Sequence, residues 1–223
     1  MTIEEMNQQD VPCIHETFHK QALLTPNNTC LIDATNKKIY TYKETQRRVL
    51  LLATEIKKTV FVENKKDQVV AIYLEPSPEY IIALLAILSS GCAYVPLELA
   101  YPTTMLQRVL SDCNPIAIIT NVEHKGNLPT NTTSTTTIVH HHHHTDSFGY
   151  EVNEDDEIVT KSIIHPADPK LMVMDDNKHD NIMSDELLLE SLWKDYNAWS
   201  CKPTLDDLAF IVYSSGTTGQ PKG

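Results

Sequence analysis

Residues 68–74 read QVVAIYL, and this run constrains the fold more than any other in the chain. Beyond Gln68 it shows no alternation of polar and apolar residues, so a strand formed here must be covered on both faces. The residues that follow supply the cover. Ser77 and Pro78 offer an N-cap and a first-turn proline, an apolar helix runs on to Ser90, and Gly91 provides a stop. AYVPL then reads as a short strand. Leu106, Leu110 and Cys113 mark one helical face, and IAIIT at residues 116–120 reads as a further strand. Strand, helix, strand, helix, strand predicts right-handed crossovers and a mainly parallel sheet flanked by helices, an α/β fold.

The same alternation extends upstream. Ile14, Phe18 and Ala22 recur at helical spacing, with Pro26 closing the segment. CLID and IYTY, separated by the polar NKK, predict a hairpin. Thr41 precedes Glu44 by three residues, a capping-box spacing, and opens a helix with Val49, Leu52, Ala53 and Ile56 on one face.

Downstream, the pattern divides the chain into residues 11–120, a biased stretch at 121–168, and residues 169–223. The middle stretch holds NTTSTTTIV, five consecutive histidines from His140 to His144, and the acidic EVNEDDE. It lacks apolar periodicity, which predicts a disordered insertion. Neighbouring histidines in such a run lack the fixed geometry of a metal centre, so no metal site is assigned to them. Order is expected again at KLMVMDD, a strand, and in a helix carrying Leu189, Leu192, Trp193 and Tyr196 at core spacing. The two tryptophans, Trp193 and Trp199, read as packing residues. Asp206 and Asp207 read as a turn or cap before the last apolar strand, LAFIVY at 208–213.

Charge and composition exclude several classes. The net charge of −12 leaves no broad basic face for nucleic acid. No apolar run is long enough to span a bilayer, and the acidic start lacks the features of a signal peptide. The five cysteines are scattered without metal or redox spacing and read as reduced thiols. A cytoplasmic location is the expectation, and on that reading the N-x-T triplets at Asn27 and Asn131 stay unglycosylated.

LAFIVY runs directly into SSGTTGQPKG, which concentrates hydroxyls, glycines and a lysine. Glycines let backbone N–H groups converge on an anion, hydroxyls add donors, and lysine adds a full charge. Ser214, Ser215, Gly216, Thr217, Thr218, Gly219 and Lys222 are therefore candidate phosphate-binding residues, placed where open α/β sheets hold ligands. The alternative of a GxxxxGK[ST] loop fails, because Pro221 precedes Lys222 and Gly223 follows it.

The loop resembles the signature of the adenylate-forming (AMP-binding) superfamily, in which an aromatic residue and Thr or Ser precede SGTTG, a variable residue and PKG. Ser214 stands where threonine is commoner. LSSGCAYVPLELAYP at 88–102 resembles a second family core, LKAGAAYVPLDPxYP, departing at Ser89 and Glu98. TYKE at 41–44 and LDDLAFIVYSSG are similar to further family segments. Together these cover about 11–120 and 170–223.

The resemblance implies the N-terminal part of an adenylation domain: a partial subdomain of an ATP-dependent, AMP-forming ligase that joins a small-molecule carboxylate to ATP with Mg²⁺. The acyl group then passes to the thiol of coenzyme A or of phosphopantetheine on a carrier-protein domain. VPCIHETFHKQALLTPNN is similar to the start of nonribosomal-peptide-type and ebony-type adenylation domains, which favours an amino acid as substrate. Fragments of acyl-CoA synthetases remain an alternative, as does a non-catalytic truncated interaction module. The catalytic residues, with the adenine- and ribose-binding segments, are expected downstream of Gly223, so these residues alone are expected to be inactive.

Overall fold

The computed structural model describes residues 12–59, 65–129, 136–140, 171–174, 185–199 and 203–214. Its elements are α1 (Ile14–Leu24), β1 (Thr29–Ile32), β2 (Ile39–Thr41), α2 (Tyr42–Thr59), β3 (Val69–Tyr73), α3 (Pro78–Ser89), β4 (Ala93–Pro96), α4 (Thr103–Cys113), β5 (Ala117–Asn121), α5 (Val122–Lys125), β6 (Thr136–His140), β7 (Leu171–Met174) and α6 (Asp185–Ala198).

The main sheet has the order β4-β3-β5-β6-β7, and all of its pairings are parallel. Its centre is the apolar run that dominates the sequence. All five residues of β3 are buried. Val70 and Ile72 face α2 and α3, packing with Val49, Ile56, Ala83 and Ile87. Val69, Ala71 and Tyr73 face α4, packing with Leu106, Val109 and Leu110. The connections from β3 to β4 and from β4 to β5 run in opposite directions across the sheet. Right-handed crossovers in opposite directions place α3 and α4 on opposite faces, which is why β3 needs apolar residues on both.

The boundaries follow local chemistry. The Ser77 side chain accepts from the Tyr80 N–H (3.3 Å), with Pro78 opening α3. Gly91 ends the turn after α3 with φ +80°. The Thr41 N–H and Oγ1–H both donate to Glu44 Oε2 (2.7 and 2.8 Å), and the Glu44 N–H donates back to Thr41 Oγ1 (3.2 Å), so the capping box forms. The hairpin forms as β1 against antiparallel β2, with a register shift between Thr29 and Leu31.

Three expectations need correction. Helical spacing predicts Ile14, Phe18 and Ala22 as the inner face of α1. Ala22 is buried and Phe18 packs against the core, but Ile14 is 66% exposed, and His15 and His19 take the remaining inward positions. The inward turn of His19 is possible because its imidazole finds polar and aromatic partners inside. Second, the stretch read as an insertion contributes structure: α5 and β6 lie within 121–168, and His140, first of the histidine run, is the last residue of β6. Periodicity is a poor guide there because a five-residue strand of threonines, Ile138, Val139 and His140 takes its order from β5 and β7 on either side. The remaining histidines lie outside the described residues. Third, residues 208–213 do not form a full strand. They make one parallel bridge, Phe210 to Tyr94 of β4, at the edge of the sheet.

Candidate phosphate-binding site

The approach to the glycine-rich loop is held at two levels. Along the backbone, the Tyr94 N–H donates to the Ala209 carbonyl and the Ile211 N–H donates to the Tyr94 carbonyl, both at 3.0 Å. Two bonds around one residue of a short edge strand make a bridge rather than a ladder. Through side chains, Ile211 and Tyr213 turn toward the α4 layer and join its core, while Phe210 and Val212 turn outward and are 54% and 56% exposed. Tyr213 is buried, and its hydroxyl donates to Asp112 Oδ2 at 2.6 Å, from the last turn of α4. Burial, with this hydrogen bond second, pushes the phenol upward, so it remains a donor across the working pH range.

Because 208–213 runs parallel to β4, its end lies at the carboxyl edge of the sheet, and Ser214 emerges there, exposed. Among the sequence-predicted phosphate ligands only Ser214 is described. Ser215, Gly216, Thr217, Thr218, Gly219 and Lys222 lie outside the described residues. Ser214 at this edge fits the first position of an anion-binding loop, since ligands of open parallel sheets collect at their carboxyl ends.

The point where the sheet reverses its direction of winding lies elsewhere, between β3 and β5. There the Asn121 amide donates to both oxygens of Glu75 (3.3 and 3.2 Å), and the Nε2–H of His124 donates to Glu75 Oε2 at 2.7 Å. Asn121 also accepts from the His124 N–H at 2.9 Å, capping α5. The crevice that such sheets commonly open at this position is therefore bridged by the protein's own side chains. Ser214, where the candidate loop begins, lies at the sheet edge outside β4.

The other singled-out residues resolve simply. Asp207 accepts from the Thr204 N–H (2.7 Å) and Oγ1 (3.0 Å), closing the turn before the edge segment. Trp193 stacks on Tyr196 (5.3 Å), and Trp199 meets the edge of the same ring (5.2 Å). Burial pushes the thiols of Cys13, Cys30, Cys92 and Cys113 upward, Cys113 to about 11, so none of these four is a nucleophile near neutrality. Among the described residues no helix is long and apolar enough to cross a membrane.

Sequence reading missed Asp112 and Glu75. Both are polar residues beside apolar runs, and their partners, Tyr213 and His124, lie 101 and 49 residues away. The only available signal was the tyrosine itself, a polar tip at the end of an apolar strand, which requires a buried acceptor.

A parallel α/β subdomain whose carboxyl edge leads through Ser214 into a glycine-rich sequence of this kind has the fold of the N-terminal part of an adenylation domain. The family comparison makes the assignment definite: the pattern of the AMP-binding enzyme family matches residues 18–223, and the chain belongs to that family. It is 29% identical over 206 residues to glycine betaine reductase ATRR of Emericella nidulans, covering 92% of this chain and 12% of that protein. It is also 29% identical over 211 residues to tyrocidine synthase 1 of Brevibacillus parabrevis, covering 94% of this chain and 15% of that one. In fold it matches the N-terminal subdomain of Klebsiella oxytoca NpsA in complex with 3-hydroxybenzoyl-AMSN. There the TM-score is 0.60 at 18% identity, over 98% of this chain and 41% of the other.

Proposed function

We propose that this chain supplies the phosphate-contacting part of an enzyme that activates a carboxylate, in our reading an amino acid, as its acyl-adenylate. The observation that carries this is the position of Ser214: the first residue of SSGTTGQPKG leaves the carboxyl edge of a parallel sheet from a segment clamped to β4 and α4.

Ser214, Ser215, Thr217 and Thr218 would donate hydroxyls, Gly216 and Gly219 would let backbone N–H groups converge, and Lys222 would bring a positive charge. When a carboxylate attacks the α-phosphate of ATP, negative charge builds on the departing β,γ-pyrophosphate, and these groups stabilise it. Mg²⁺, when bound, neutralises part of the same charge. The acyl acceptor would be a phosphopantetheine thiol on a carrier domain, with coenzyme A as the alternative. Support for the carrier comes from the resemblance of residues 11–28 to peptide-synthetase openings and from the peptide synthetases among the relatives. By itself the 223-residue chain is expected not to turn over, since the adenine, ribose and carboxylate contacts of the family pattern are not among its motifs.

The test is amino-acid-dependent ATP–pyrophosphate exchange by the protein captured from its native source with an antibody to residues 12–120. Exchange driven by one or a few amino acids, and reduced roughly 10²-fold or more by Lys222→Ala, is the expected result. Exchange driven only by fatty acids would transfer the reading to acyl-CoA synthesis. No exchange with any carboxylate would overturn it.

A further inference from the structure

We propose that Tyr213 and Asp112 form a tether that positions the first residues of the phosphate loop, a role that rests on the phosphate-binding reading of that loop. Neither residue needs to touch a nucleotide. Both act through Ser214, the next residue in the chain.

The geometry supports this in three ways. The tether is short, 2.6 Å from the phenol oxygen to Asp112 Oδ2, and it joins segments 101 residues apart. Its anchor is rigid: α4 seats Leu106, Val109 and Leu110 in the core at 1%, 1% and 5% exposure, and Asn114 in the left-handed region (φ 40°) closes the helix directly after Asp112 and Cys113. Finally, the tether lies past the backbone bonds to β4, which are made at Ala209 and Ile211, while the outward side chains of Phe210 and Val212 are more than half exposed. Between the backbone bonds at Ala209 and Ile211 and the bridge residue Ser214, the buried ring and hydroxyl of Tyr213 add a side-chain hold that helps to set the direction in which the loop starts.

Such a constraint matters because a phosphate loop works through preorganised donors. A misplacement of about 1 Å in a positioned group costs on the order of 10²-fold in rate. The tether fixes the entry to the loop at Tyr213, the residue before Ser214.

Tyr213→Phe removes one oxygen and keeps the packed ring. Hydrogen–deuterium exchange of the full chain should then show residues 209–214 exchanging about five- to tenfold faster, with β3 and β5 unchanged. Asp112→Ala should match it, and Asp112→Asn, which keeps an acceptor oxygen, should restore most of the protection. In the protein captured from its native source, with the same substitutions introduced there, pyrophosphate exchange should show KM for MgATP raised about tenfold and KM for the carboxylate unchanged. A purely structural role would lower the amount of active enzyme without moving KM for MgATP, and that result would overturn the proposal. Unaltered hydrogen exchange at 209–214 would do so as well. If the wild-type protein performs no pyrophosphate exchange, the adenylation reading fails instead, and hydrogen exchange alone then decides the tether.

Discussion

His19 Nε2 lies 3.1 Å from Ser89 Oγ, and its Nδ1 lies 3.3 Å from the amide nitrogen of Gln46. An amide nitrogen can only donate, so Nδ1 is the acceptor and Nε2 carries the proton toward Ser89. One neutral tautomer thus joins α1, α2 and α3. The ring also packs between Phe18 (5.2 Å), Trp193 (5.3 Å) and Tyr196 (4.9 Å), which brings α6 onto the same point.

This site makes stability depend on pH. Burial, and secondarily the nearby His15, lower the His19 pKa from 6.5 to about 3. His15 is lowered too, by its own burial. Between these limits the unfolded chain binds a proton that the folded chain refuses. The contribution is therefore complete above pH 6.5 and is lost as pH falls from 6.5 toward 3. Urea titrations from about pH 7 to about pH 4 should show wild type losing a few kcal/mol more than His19→Gln, since each pH unit in that window is worth on the order of 1.4 kcal/mol. Equal pH slopes for the two proteins would contradict the assignment.

Packing of α6 can be read optically. Trp193 and Trp199 are the only tryptophans in the chain, and both belong to the cluster of Leu50, Leu192 and Tyr196. Leu192→Ala should cost about 2–4 kcal/mol by urea denaturation, and its native emission should shift to the red as α6 loosens over α2. A cost below about 1 kcal/mol with unchanged emission would mean that α6 draws its order from elsewhere.

Gly91 tests backbone strain separately from packing. A Cβ at this position would meet nothing closer than Lys57 Nζ and Pro203 Cδ, both at 3.9 Å, so space is adequate. The backbone is the obstacle, because φ is +80°. Gly91→Ala should lower stability by about 1–2 kcal/mol, while Gly91→Asn, which tolerates the left-handed region better, should lose less. Equal losses for the two variants would point to a steric cause.

The bridge across β3 and β5 should behave as a coupled pair. His124 is 17% exposed and Glu75 is 40% exposed in their side chains, so water screens the pair in part. A double-mutant cycle with Glu75→Gln and His124→Gln should give a coupling of about 0.5–1 kcal/mol that weakens as salt is raised. Strict additivity would mean that Asn121 alone holds Glu75.

Local chemistry made much of the fold legible from residues alone. Ser77-Pro78, Thr41 with Glu44, and Gly91 act within a few residues of themselves, so their caps and turn could be read without a partner. The two-faced burial of β3 was legible for a similar reason, since a strand with no polar side admits no other environment. The candidate phosphate loop was visible through its composition and order.

What tertiary structure alone decided is where the partners are distant. The inward turn of His19 depends on Ser89, Gln46 and the rings of α6, none of which a helical period of α1 can register. The strand at Thr136–His140 exists because β5 and β7 flank it, not because its threonine-rich composition demands it. Asp112 reads as the polar end of a helix, and it becomes an anchor only when a chain reversal brings Tyr213 to it across 101 residues. Sequence determines short-range capping and two-sided burial because those energies depend on neighbours in the chain. The pairing of buried polar groups depends on which surfaces meet, and only the folded sheet and its helices bring those surfaces together.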